Sequence, residues 1–259
     1  MPYEEVCLKR HILLMNWNHK GYEVIENLHS DDVQDPRQIV IVTDKPVSLD
    51  PSRPENRGVV VVPGDPCDEN VLRMANAERA SNAILLSDGD SESTSRSLMM
   101  ALAIRAVSSD VYVVVEVADD AEKCHFEALG NCVDEIVCPS EYVSRILAQG
   151  AVYPDSGVVE LYTHLLGQSP NTNEIYLVPM PEVAIGGSFV ERFSAIREAA
   201  DQTVIPIGYT SQADGMRFVA IGPGSGGRHE KERVLQAGDQ LVLISMSWPQ
   251  FSPESGVAT

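Results

Sequence analysis

The chain has 259 residues, 44% of them hydrophobic, and 19 basic against 38 acidic side chains, a formal charge of −19. That length can bury a sizeable core in two lobes, while the acidic balance argues against nucleic acid and anionic membrane surfaces, both of which would repel it. No apolar run approaches the roughly 18–20 residues that span a bilayer, and no signal-peptide pattern is present, so a cytoplasmic protein is expected. Five cysteines, at 7, 67, 124, 132 and 138, form no C-x-x-C pair and read as reduced thiols, with Cys132 and Cys138 as small hydrophobes beside a strand.

The first element is an apolar strand that runs into a tight turn and an amphipathic helix, all within residues 10–28. The turn, Asn16-Trp17-Asn18-His19-Lys20-Gly21, occupies the frame of G-x-G-x-x-G but keeps only its last glycine. Each glycine of that motif has its own task. Asn16 is a mild replacement, because asparagine tolerates φ > 0. Asn18 is a serious one, because its side chain stands where a pyrophosphate must approach the backbone. Gly21 is read as allowing close helix-on-sheet packing. Trp17 could cover an adenine face, although packing on a neighbouring loop suits it better. His19 and Lys20, at the helix start, are read as solvated.

Short runs of Val, Ile and Leu follow at 38–43, 59–62, 82–86, 111–117 and 135–138, the signature of parallel strands covered on both faces. Helix patterns lie between them at 68–76, 91–107 and 121–129, the second with Leu98, Ala101 and Leu102 at helical spacing. This alternation predicts a doubly wound α/β sheet. Two helices, 141–149 and 156–166, come next without a strand between them. After a polar linker at 171–173, a small α+β lobe is expected: strands at 174–179, 204–209, 217–221 and 240–245, and a helix at 189–200. Its Gly222-Pro223-Gly224-Ser225-Gly226-Gly227 matches G-x-G-x-x-G formally. Only 32 residues follow it, too few for the rest of a βαβ unit, so it reads as a hairpin loop.

Two sets of side chains could hold a ligand at the carboxyl ends of the parallel strands, where α/β folds bind. Asp44 ends the second strand 23 residues after Gly21, near the spacing of a ribose-binding carboxylate. Asp88, Asp90, Glu92 and Glu116 should gather at neighbouring strand ends and could supply hard oxygen ligands to calcium. The plainer alternative stays open: Asp90 and Glu92 favour a helix start, and Glu116 pairs with a base elsewhere. The six histidines show no H-x-x-x-H or H-E-x-x-H spacing, and His125 reads as a surface residue.

Several motifs in a fixed order resemble the regulator-of-potassium-conductance (RCK) family, shared by prokaryotic potassium channels and Trk/Ktr-type transporters. They are RHILLMNW in the first strand, Val61-Val62-Pro63-Gly64-Asp65-Pro66, Ser87-Asp88-Gly89-Asp90-Ser91-Glu92, Val113-Val114-Val115-Glu116, Cys138-Pro139-Ser140 and Ala237-Gly238-Asp239-Gln240-Leu241. The resemblance implies a Rossmann-like doubly wound N-lobe over 8–139, a helical crossover that dimerises over 140–170, and an α+β C-terminal lobe over 171–247. It further implies dimers assembling into a ring beneath a membrane pore, gated by ligand and performing no catalysis.

On that likeness Asn16, Asn18 and Gly21 border a diphosphate, Asp44 a ribose, and Asp65 and Asp88 the rest of a nucleotide pocket, with Trp17 and Lys45 completing the set. The expected ligand is NAD or an adenine nucleotide, or Ca2+. The altered turn is more like channel members, which favours the cytoplasmic gating-ring portion of a channel. The alternatives are a stand-alone Trk/Ktr-type regulatory subunit and an NAD-dependent oxidoreductase. The last lacks any Tyr-x-x-x-Lys or G-x-S-x-G pattern.

Overall fold

The computed structural model describes residues 6–30, 37–89, 93–155, 157–167, 172–213, 216–221 and 233–252. The chain divides into two compact units, Met1–Val159 and Glu160–Thr259. In the first, β1 (Ile12–Met15), β2 (Ile39–Thr43), β3 (Val59–Pro63), β4 (Asn82–Leu85), β5 (Tyr112–Glu116) and β6 (Glu135–Val137) form one sheet in the order β3-β2-β1-β4-β5-β6. Every pairing is parallel. This is the doubly wound order in which the chain reverses direction between β1 and β4, leaving a crevice at their carboxyl ends.

Alternation along β1 and β2 explains why both sheet faces are covered. Leu13, Met15, Val40 and Val42 pack into one core with Met100, Ala101, Ile104 and Phe126. Leu14, Ile39 and Ile41 pack into another with Trp17 and Ile25. The covering helices are α1 (Lys20–Leu28), α2 (Glu69–Met74), α3 (Ser93–Val107) and α4 (Lys123–Ala128).

Two of the helices differ from the sequence pattern. On α3 the core face is Met100, Ala101 and Ile104, and Leu102 is exposed. The segment read as one helix over 121–129 starts as a 3-10 turn, because Asp119 caps the backbone N–H of Glu122. Cys132 and Cys138 are both buried, and none of the five cysteines forms a disulfide.

Helices α5 (Pro139–Val152) and α6 (Val158–Leu166) follow, and neither buries a side chain. Pro139 at the first turn of α5 starts that helix two residues earlier than the sequence pattern suggests. The second unit is a sheet of β7 (Glu174–Pro179), β8 (Ile205–Ala213), β9 (Met216–Ile221) and β10 (Gln240–Ser245), in the order β7-β10-β8-β9. All its pairings are antiparallel. Helix α7 (Phe189–Ala199) starts at a capping box made by Ser188 and Glu191 and packs through Phe189 and Ile196 on Tyr176, Tyr209 and Leu243. The run 222–227 lies outside the described residues.

Candidate functional site

The first turn is built from two asparagines that do different work. Asn16 takes a left-handed φ of 66°, the conformation that the sequence assigns to a glycine or asparagine there. It is 1% exposed, and its Nδ2 donates to the Leu86 carbonyl at 3.0 Å and to Asp88 at 3.2 Å. Its Oδ1 is buried with no hydrogen-bond partner among the described residues. Asn18 accepts from the Lys20 backbone N–H through Oδ1 at 3.0 Å and donates from Nδ2 to the Ser87 carbonyl at 3.0 Å. The Asn18 side chain therefore takes an amide at the start of α1, the kind of donor that an anion needs.

The close approach at Gly21 is to Trp17. A Cβ there would enter the six-membered ring of Trp17. Trp17 is 5% exposed and meets Tyr22 edge-on at 4.9 Å. The indole fills the space left by the glycine, so Trp17 packs inward. His19 is exposed. Lys20, expected to be solvated, instead bonds the Ser87 carbonyl at 2.8 Å and Glu116 at 2.5 Å. It is the base that Glu116 required. The Glu116 carboxylate also accepts from the Ser87 N–H at 2.9 Å.

Two further ion pairs line the strand ends. Lys45 reaches Asp88 at 2.6 Å. Burial opposes ionisation of Asp88, yet the bonds from Lys45, Asn16 and Asn18 hold its carboxyl below the usual range. Arg96, on α3, bonds Asp44 at 2.7 Å and lies 3.7 Å from Asp65. Asp65 also accepts from the Cys67 backbone N–H at 3.0 Å. The Cys67 thiol is pushed up to about 11 by burial and the nearby Asp65 carboxylate.

Of the residues singled out by sequence, Asn16, Asn18, Asp88 and Lys45 are thus joined in one network, as are Lys20 and Glu116. Asp44 and Asp65 meet through Arg96, which sequence reasoning missed. No local signal links an arginine in a helix to a carboxylate 52 positions earlier. Asp90 and Glu92 lie outside the described residues. Among those described, no group of three or more His, Cys, Asp or Glu side chains is placed to hold a metal ion.

Three of the positions that the family resemblance sets beside a nucleotide are thus engaged internally: Asn18 by the Lys20 N–H and the Ser87 carbonyl, Asp44 by Arg96, and Asp88 by Lys45.

A parallel sheet in this order, with polar side chains gathered at its switch point, defines a Rossmann-type ligand-binding lobe, here followed by an antiparallel α+β lobe. Residues 12–139 match the TrkA-N domain model. The calcium-gated potassium channel TvoK of Thermoplasma volcanium is 26% identical over 156 residues, 58% of this chain and 42% of that protein. The human SLO3 gating ring superposes with a TM-score of 0.64 at 14% identity, covering 92% of this chain and 44% of that one, a likeness of fold across both lobes. The GsuK RCK domain aligns with 93% of this chain and 45% of its own, at 18% identity and a TM-score of 0.46. The chain thus spans less than half the length of these relatives. No helix among the described residues is long and apolar enough to cross a membrane.

Proposed function

We propose that the chain is the ligand-sensing regulatory domain of a potassium channel, of the gating-ring type, and that it changes shape on binding rather than making bonds. The observation that supports this most is the alignment with a calcium-gated potassium channel over 156 residues, joined to a two-lobe fold like that of a gating ring. In this reading 8–139 is the sensing lobe, 140–170 the crossover that dimerises, and 171–247 the C-terminal lobe. The domain works at the inner face of the membrane beneath the pore, as dimers closed into a ring.

The sensor is the network at the strand ends. Ligand binding and the internal ion pairs compete for the same charges, so a ligand shifts the conformation by what it gains over those pairs. A nucleotide phosphate is held by Lys45 and Lys20, and releases Asp88 and Glu116. Calcium is held by Asp88 and Glu116, and releases the lysines.

Calorimetric titration of the protein and its Lys45→Met variant with NAD, ADP and Ca2+ tests this with opposite signs. If the ligand is a nucleotide, Lys45→Met weakens binding about tenfold, the worth of one charge-assisted contact. If it is calcium, the same substitution strengthens binding, because Asp88 is freed. A protein that binds none of the three would overturn the reading.

A further inference from the structure

The second unit contains a cavity apart from the strand-end network. It has a volume of about 440 Å³ and lies between the end of β7, the turn that follows it, and the segment after β10, within the size range of small-molecule sites. Its walls are apolar and stiff. Pro179 and Pro249 line it, and proline fixes its own φ. Val178 and Met180 are almost fully buried beneath it.

The two sides are anchored separately to the body of the lobe. On one side the Met180 N–H bonds the Asp239 carbonyl at 3.2 Å, and the Ile185 N–H closes a turn on the Glu182 carbonyl at 3.1 Å. On the other side Trp248 stands edge-on to Tyr176 at 5.8 Å, and the Ser252 N–H bonds the Ala199 carbonyl at 2.8 Å. The cavity is therefore shaped before anything enters it, which lowers the entropic cost of binding.

Its chemistry selects one class of guest. Trp248 and Phe251 contribute aromatic surface and Met180 a polarizable sulfur, and among the described lining residues Glu182 is the only charged one. Aromatic faces attract cations through the ring quadrupole, and a carboxylate at the same cavity attracts the same sign. An anion is disfavoured twice, by Glu182 and by a chain of charge −19. We propose that this cavity binds a small organic cation with an apolar body, of the quaternary or aromatic ammonium class.

Heteronuclear NMR titration of the full chain with choline, benzyltrimethylammonium and 3,3-dimethylbutan-1-ol, the neutral isostere of choline, tests the assignment. Choline should bind about tenfold more tightly than the neutral isostere, and benzyltrimethylammonium more tightly than choline, since it fills more of the volume. Shifts should centre on Met180, Trp248 and Phe251. Glu182→Gln, at an exposed position that the fold does not need, should weaken both cations severalfold and leave the neutral compound unchanged. Trp248→Ala should abolish binding of all three, with circular dichroism confirming that the lobe is folded.

Equal affinity for choline and its isostere would overturn the proposal, as would cation binding indifferent to Glu182→Gln. So would the absence of binding together with a changed oligomeric state in Trp248→Ala, which would make the cavity a contact between copies of the chain.

Discussion

Trp17 and Gly21 form a single packing unit, and their coupling can be measured. Ordinarily Gly→Ala inside a helix gains about 1 kcal/mol from propensity. Here the new methyl enters a buried indole ring held from the side by Tyr22, and overpacking of that kind costs about 1–3 kcal/mol. Gly21→Ala should therefore destabilise the protein by about 1 kcal/mol in urea denaturation, and the same substitution in a Trp17→Leu background should stabilise it. A stabilising Gly21→Ala in the native background would show that the glycine is kept for another reason. Part of this site was legible in the sequence: the left-handed Asn16 follows from local backbone chemistry, and the place of Asp44 directly after β2 from the apolar run before it. Lys20 and Arg96 were not legible, because each is defined by a partner 96 or 52 positions away, and long-range ion pairs leave no periodic trace.

Between elements, His11 ties the entry of β1 to the end of α2. Its ring is 1% exposed, and its Nε2–H donates to the Ala75 carbonyl at 3.1 Å. Burial lowers its pKa, against a smaller opposite effect of that hydrogen bond. A histidine whose folded pKa lies below the ordinary value near 6.5 binds protons more readily in the unfolded chain, so its contribution is full above about pH 6.5 and lost as pH falls. The depressed carboxyls of Asp88, Glu141 and Glu191 also lose their contributions on acidification, but only near the carboxylate range around pH 4. His11 therefore contributes to the pH dependence over the interval from about pH 6.5 to 5. Stability should decline across it in the native protein, and His11→Gln, which can still donate to Ala75, should flatten that decline; an unchanged slope in denaturation at stepped pH would locate the titration elsewhere. Most strands were read to within a residue or so, since short β-branched runs bounded by turn residues favour strands, but β8 runs four residues past its expected end at 209, where the polar residues Thr210, Ser211 and Gln212 hide its continuation. Helix ends were read less well, because caps such as Asp119 and the proline start of α5 compete with the hydrophobic period.

At the scale of the whole molecule, a chain of charge −19 associates with copies of itself only where charge is sparse. Helices α5 and α6 offer such surface: Val143, Leu147 and Val152 on one, Val159, Leu161 and Leu166 on the other, each at least half exposed. Burying a large aliphatic side chain fully is worth about 1.5–3 kcal/mol, and roughly half of that remains to be gained at these positions. In a two-fold interface every residue is buried twice, so each substitution counts on both copies. Leu147→Asp with Leu161→Asp removes that gain on both helices and adds a carboxylate at each position of both copies. The dissociation constant of the proposed dimer should rise by at least about 100-fold, the equivalent of about 2.7 kcal/mol, read by analytical ultracentrifugation across a concentration series. The doubly substituted protein should keep its ligand response in calorimetry, because the strand-end network lies in residues that these helices do not supply. A native protein that sediments as a monomer at every concentration would remove the crossover from its dimerising role, and with it the means by which a change in one lobe could be passed around a ring.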